Sequence, residues 1–342
     1  MMRQIHYALI CCDLDPDRAL FGAADTSESK RLEWRGANES FKFIHHLRQA
    51  LAKNGSEFRL NWFMRADSQI GALCGDESHV IREFEAQWKF AIEHGDGVGW
   101  HPHTWRWNGN EDCWFQETTD LQWIAGMLRR SFKSFSVSVG TQTPFARMGW
   151  AFHCNTTMKT FDELGVVADL SCVPKMRCHG GALTGPRVNI YDWIGSPDEP
   201  FHPGVNDYRR PNDCPNRSLQ LMEIPMTTFT VPLLSKQFFR GLVPLARKPM
   251  HRFPNQVRMP ALRRSRILFA TARHSTFKAA VGHLETQDLE LPYVGCYFHP
   301  DELLDPILRD NFRNNMCWLS STKVEFLNVP SFVELCEQED GV

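Results

Sequence analysis

Six polar side chains in this sequence are of the types that could act together on one substrate. They are Asp13 and Asp15 in "CCDLDPD", His101 and His103 in "GWHPHTW", Arg147 in "FARMGW" and His299 in "CYFHPDEL". Two imidazoles and a carboxylate, with one coordination position open, suit a catalytic divalent metal such as zinc. Such a metal lowers the pKa of water to about 7 and polarises a carbonyl. A second acid can take the proton of that water, and a histidine opposite can protonate the leaving group. The chemistry these residues could perform is metal-assisted hydrolysis.

Each piece alone also has a plain structural reading. Three acids in five residues, Asp13, Asp15 and Asp17, equally suit a turn or a helix N-cap cluster. The HxH pair puts both rings on one face of a strand, as chelation requires, but so does any alternating strand. Arg147 alone reads as an ion-pair partner. His299 precedes "PDEL", which would make a good first helical turn from Asp301.

What unites the six is their place at strand ends. Short apolar runs predict strands near Tyr7–Cys12, Arg59–Met64, Gly97–Trp100, Phe145–Gly149, Val166–Leu170, Leu219–Ile224, Tyr293–Phe298 and Val324–Val329. Amphipathic patterns predict helices over Glu39–Lys53, Val80–His94, Thr119–Phe132 and Thr156–Leu164. Asn54-Gly55, Gly95 and Gly165 are their stops. Alternating strand and helix implies a parallel sheet, here a distorted (β/α) barrel of about seven to eight strands. In such a barrel the C-terminal strand ends converge on one face, and the six residues converge with them.

The chain is expected to be one domain over 1–342. The interval 172–216, rich in Gly, Pro, Asn and Asp, reads as an irregular insertion over the active-site face. With 42% hydrophobic residues and 24 Phe, the composition supports a large core. A net charge of −2 gives no pull toward nucleic acid. The 11 cysteines are scattered without paired spacing, which fits reduced thiols in a cytoplasmic protein and argues against cysteine-ligated zinc. The start of the chain lacks a secretory pattern, and no apolar run reaches the ~18 residues of a membrane span.

At the same residues the chain resembles the polysaccharide deacetylase family, the nodulation-protein-B homology domain of carbohydrate esterase family 4. "CCDLDPD" is similar to its first motif, "GDGVGWHPHTW" to its second, "FARMGWAFHCNTTMKTFDELGVVADLS" to its third and "CYFHPDEL" to its last. "LMEIPMTT" looks like a late core strand, and "VEFLNVPSFVELCE" like the closing strand and helix. The resemblance implies Asp13 as catalytic base, Asp15, His101 and His103 as ligands of a divalent metal, Arg147 orienting the base and His299 as general acid. The implied reaction removes an N-acyl group, most simply acetyl, from an amino sugar or glycan precursor in cell-surface polysaccharide metabolism.

The sequence departs from the family pattern in three places. Leu14 separates two aspartates that are usually adjacent, so Asp13 and Asp15 can exchange roles and Asp17 is a third choice. Trp105 stands where the second metal histidine usually lies, which leaves His103 to serve. The usual proline after the arginine is missing. Two other readings remain open at this stage. Asp13 and Asp15 after an apolar strand also resemble the nucleophile motif of haloacid-dehalogenase-like phosphatases. The barrel could also bind a glycan without catalysis.

One segment stands outside this scheme. From Ser235 to His274 the chain is strongly basic, with Arg247, Lys248, Arg252, Arg263, Arg264 and Arg266 among others, and holds no Asp or Glu. Guanidinium forks match phosphate oxygens, and interleaved Phe238, Phe239, Met250 and Phe253 are apolar. Segment 235–274 is therefore expected either to recognise a phosphate-linked substrate or to touch an anionic membrane, the alternative being a solvated charged loop.

Overall fold

The architecture comes from a computed structural model that describes residues 4–17, 32–110, 112–140, 144–178, 190–212, 217–231 and 264–340. In chain order, β1 (Tyr7–Leu14) is followed by α1 (Arg35–Ala52) and β2 (Asn61–Arg65). Three helices then lead to the next strand: α2 (Ser68–Cys74), α3 (His79–Glu83) and α4 (Glu85–Glu93), before β3 (Gly97–His101). Next come α5 (Leu121–Val139), β4 (Phe145–Ala146), α6 (Asn155–Glu163), β5 (Ala168–Asp169) and β6 (Met222–Glu223). The chain finishes with α7 (His274–Leu284), β7 (Tyr293–Phe298), α8 (Pro306–Ser321), β8 (Glu325–Phe326) and α9 (Val329–Asp340).

The strands form one parallel sheet in the order β6-β5-β4-β3-β2-β1-β7. Strand β1 is the most extensively paired, joined along one edge to β7 from Tyr7↔Tyr293 to Cys12↔Phe298. Its other partners are β8 at Tyr7 and Ala8, and β2 from Cys11 to Leu14. The buried Asn61 ties these partners together. Its amide donates to the Leu327 carbonyl at 3.2 Å and its oxygen accepts from the Val329 amide at 2.8 Å. Because β1 has partners on both edges and is covered on both faces, "YALICCDL" is apolar almost throughout. The sheet curls until β6 nears β7, where the Thr227 amide donates to the Gly295 carbonyl at 2.9 Å and the Ala270 amide to the Tyr297 carbonyl at 2.8 Å. The result is the distorted (β/α) barrel expected from the strand pattern.

All eight predicted strands occur, although β4, β5, β6 and β8 are each two residues long. Gly55, Gly95 and Gly165 take the positive φ expected of stops at helix ends. The predicted helix Val80–His94 is broken instead at Phe84 (φ −106°, ψ 24°), which separates α3 from α4. Burial of Phe84 against Trp34 and Phe41 of the α1 region outweighs helix continuity there. The turn "PDELL" is a 3₁₀ segment, Pro300–Leu304, and the α-helix begins only at Pro306, where Asp305 caps it. Helices α2 and α7 lie where no helix was expected.

Within the interval 172–216, Arg177–Cys178 pairs antiparallel with Tyr191–Asp192. Trp193 Nε1 donates to the Ala151 carbonyl at 2.8 Å, and the Ile190 amide donates to Gln116 Oε1 at 2.9 Å. These contacts fix the insertion against the segments that follow β3 and β4, on the C-terminal face. Most of the basic segment 235–274, including Arg263, lies outside the described residues. Strand Thr228–Val231 leads toward it and Arg264–Ile267 leads out, and the two pair antiparallel. The nine described cysteines whose side chains are placed are free thiols. No helix among the described residues is long and apolar enough to cross a membrane.

Candidate metal and hydrolase site

The three acids of the opening motif have three different fates. Asp13 and Asp15, two residues apart, share a face while Leu14 turns into the core, so the intervening leucine lets both carboxylates point the same way. Asp17 turns away, accepting from the Arg35 amide at 3.0 Å and the Gly36 amide at 2.8 Å, and so caps α1. It takes no part in the site.

Asp15, His101 and His103 each offer one ligand atom, all within 4.8 Å of one another. His101 Nε2 lies 3.1 Å from His103 Nε2 and 3.6 Å from Asp15 Oδ2, and His103 Nε2 lies 3.3 Å from Asp15 Oδ1. Two nitrogen ligands at about 2.0–2.1 Å from a tetrahedral zinc would stand about 3.3 Å apart. These residues therefore fit a divalent cation. His101 Nδ1 donates to the Arg147 carbonyl at 2.5 Å, which fixes the tautomer and turns the Nε2 lone pair inward. His103 is seated by Gly149, where an added Cβ would stand 2.3 Å from the imidazole. Its Nδ1 is buried without a hydrogen-bond partner.

The two imidazoles differ in charge. Burial, aided by Arg65, pushes His103 down to about 4, so it is neutral and ready to ligate. Burial also lowers His101, but the Asp13 and Asp15 carboxylates outweigh it and raise its pKa above the ordinary value. Burial works against ionisation of Asp15, while His103 and Arg65 act the other way and hold the carboxyl well below its usual range. With His103 neutral, the Arg65 guanidinium is the counter-charge that persists at neutral pH.

The remaining candidates surround this cluster. Arg147 follows β4 and places Nε 2.8 Å from Asp13 Oδ1. It also donates through Nη1 to the Leu170 carbonyl and stacks over the Tyr297 ring at 4.3 Å. His299 follows β7, with Nε2 3.7 Å from Asp15 Oδ2. Its Nδ1 lies 3.2 Å from Glu302 Oε1, and this fully buried carboxylate also accepts from Thr271 Oγ1. All six residues singled out in the sequence thus meet at one mouth of the barrel.

Three neighbours escaped the sequence reading. Arg65, the last residue of β2, donates from Nη1 to Asp15 Oδ1 at 2.7 Å and from Nε to Asp67. Its signal was a charged residue at a strand end, the rule that found Arg147. Glu302 lay three residues after His299, hidden in what looked like helix. Trp150 stands beside His103, ring centroids 6.2 Å apart, on a backbone of φ +61°. Nothing in its type announced that position.

Another buried pair, His153 Nε2 with Asp169 Oδ2 at 3.0 Å, is bound to Thr157 of α6 and belongs to the layer between β5 and that helix. Beside it, burial and Asp169 raise the Glu223 pKa well above its usual value, so Glu223 is held protonated.

No family model matches the sequence, and no curated protein does. Solved structures do. A protein of Parabacteroides distasonis provisionally described as a glycoside hydrolase/deacetylase superposes with TM-score 0.57 at 14% identity, over 98% of this chain and 72% of its own. PuuE allantoinase superposes with TM-score 0.50 at 11% identity, over 96% of this chain and 88% of its own. The likeness is one of fold, a distorted (β/α) barrel shared over nearly the whole of this chain.

Proposed function

We propose that the protein is a metal-dependent hydrolase that removes an N-acyl group, most simply acetyl, from an amino sugar within a glycan or its precursor. One observation carries the reading. The Asp15, His101 and His103 ligand atoms lie within 4.8 Å of each other, between the Asp13–Arg147 pair and His299. A divalent cation held by Asp15, His101 and His103 supplies Lewis acidity toward water and an acyl oxygen. Asp13 accepts the proton of the attacking water, and Arg147 holds that carboxylate in place. His299, its Nδ1 on Glu302, carries the proton for the leaving nitrogen on Nε2. Two acid–base groups flanking one metal support amide cleavage. A phosphatase would use Asp13 as nucleophile, yet Arg147 Nε lies within 3.0 Å of both its oxygens.

The test is metal analysis of the purified protein, followed by assay of acetate release from N-acetylated amino-sugar oligomers. Stoichiometric metal with metal-dependent acetate release is expected. Hydrolysis of phosphate esters alone, or bound metal without turnover of any acylated amino sugar, would overturn the proposal.

A further inference from the structure

Arg65 has a fixed place that does not depend on Asp15. Its guanidinium is fully buried, with Nη2 on Gln69 Oε1 at 2.8 Å and Nε on Asp67. Asp67 is itself pinned by three amides: Gln69 at 2.9 Å, Ile70 at 3.1 Å and His103 at 3.1 Å. This cradle, built on the N-terminus of α2, holds the positive charge in position. A cation arriving at Asp15 must share the carboxylate with it.

We propose that Arg65 is a specificity-determining residue of the metal site, a resident counter-charge that selects cations bound through imidazole over hard cations. The inference rests on the metal-site reading above. Arg65 donates to Oδ1 of Asp15, so a cation meets a carboxylate with one acceptor position already taken and its charge partly offset. Magnesium and calcium bind through anionic and carbonyl oxygen, and they lose most from this arrangement. Zinc and its neighbours draw on nitrogen as well, and His101 and His103 remain fully available to them. The plainer alternative is a buried ion pair that merely joins β1, β2 and α2. That role would stabilise the fold without discriminating between metals.

Calorimetric titration of the full chain with Zn²⁺ and Mg²⁺, separately and in competition, distinguishes the two. Wild type is expected to hold one Zn²⁺ in a large excess of Mg²⁺. In Arg65→Gln the ratio of Zn²⁺ to Mg²⁺ affinity should fall about 10–100-fold, the usual reach of a group that supports a metal ligand. Arg65→Lys, which keeps the charge, should stay near the wild-type ratio. An Arg65→Gln protein with the wild-type ratio overturns the inference and leaves the metal site standing, whereas a wild type that binds no metal removes both. If Arg65→Gln fails to fold, a crystal structure of the Zn²⁺-loaded wild type decides. Arg65 still hydrogen-bonded to Asp15 beside the bound ion supports the inference, and a displaced Arg65 overturns it.

Discussion

A single nitrogen of Arg147, Nε, lies 2.8 Å from one oxygen of Asp13 and 3.0 Å from the other. The rest of the guanidinium is engaged by the Leu170 carbonyl and the Tyr297 ring, so it cannot follow the carboxylate if that moves. Arg147→Lys has no fork with which to hold all three contacts. Its activity should drop by roughly 10²–10⁴-fold, the worth of a general base. Bound metal should stay near stoichiometric, because His101 is anchored by the Arg147 backbone carbonyl and not by its side chain. Asp13→Asn should match it in both respects. Full activity in Asp13→Asn would move the base to another group.

Metal binding should be lost in His101→Ala and in His103→Ala while the fold survives, read by metal analysis and circular dichroism. Binding should also weaken as pH falls. His101 has its pKa raised above the ordinary value, so protons begin to compete with metal at a higher pH than they would for a free histidine. Zn²⁺ affinity unchanged from neutral pH down to mildly acid pH would contradict this.

Gly149 gives a sharper probe of the same site. A methyl group there would stand 2.3 Å from the His103 ring, so Gly149→Ala must displace the imidazole. Metal affinity should fall about as far as in His103→Ala. The cooperative thermal transition should persist, since Gly149 follows β4 and lies outside the barrel sheet. Wild-type affinity in Gly149→Ala would show that His103 is not a ligand.

For the proton donor, Glu302→Gln keeps the shape but removes the charge behind His299 Nδ1. The alkaline limb of the pH–rate profile should therefore be altered, and kcat should change more than KM. His299→Ala should remove that limb altogether. A profile unchanged in both variants would assign the proton to another residue.

One stability effect should depend on pH in a defined direction. Partial burial works against ionisation of Glu117, but the Thr119 and Asp120 amides, the Thr119 hydroxyl and Arg106 outweigh it and hold the carboxyl down to about 2. A depressed folded-state pKa contributes stability above the unfolded value of about 4.3, and that contribution is lost as pH falls toward about 2. Glu117→Gln should thus unfold more readily than wild type at pH 6, with the difference shrinking as the pH is lowered. A constant gap in melting temperature across that range would contradict the assignment.

Much of this arrangement was legible before the structure. Buried parallel strands read as unbroken apolar runs, so "YALICCDL" and "YVGCYF" announced themselves, and the polar residue after each marked the mouth of the barrel. Pairing across the barrel was not legible. Nothing local says that Arg65 faces Asp15, fifty residues earlier, or that Trp150 leans on His103. Helix α8, "PILRDNFRNNMCWLSS", was hidden by a polar composition, although Phe312, Asn315, Met316 and Leu319 form its buried stripe. The break at Phe84 was likewise decided by aromatic packing from a distant helix.

The hairpin beside the barrel seam has a consequence for how this chain can vary. Val231 and Arg264 are direct partners in an antiparallel pair, so two positions more than thirty residues apart in sequence are held side by side. The seam itself is closed by the amides of Thr227 and Ala270, on the barrel side of that pair. A tight two-residue turn would satisfy the same pairing, so the register of these two strands does not dictate how many residues join them. Loop-closure entropy grows slowly with length, so the hairpin tolerates a connection of almost any size between its two fixed ends.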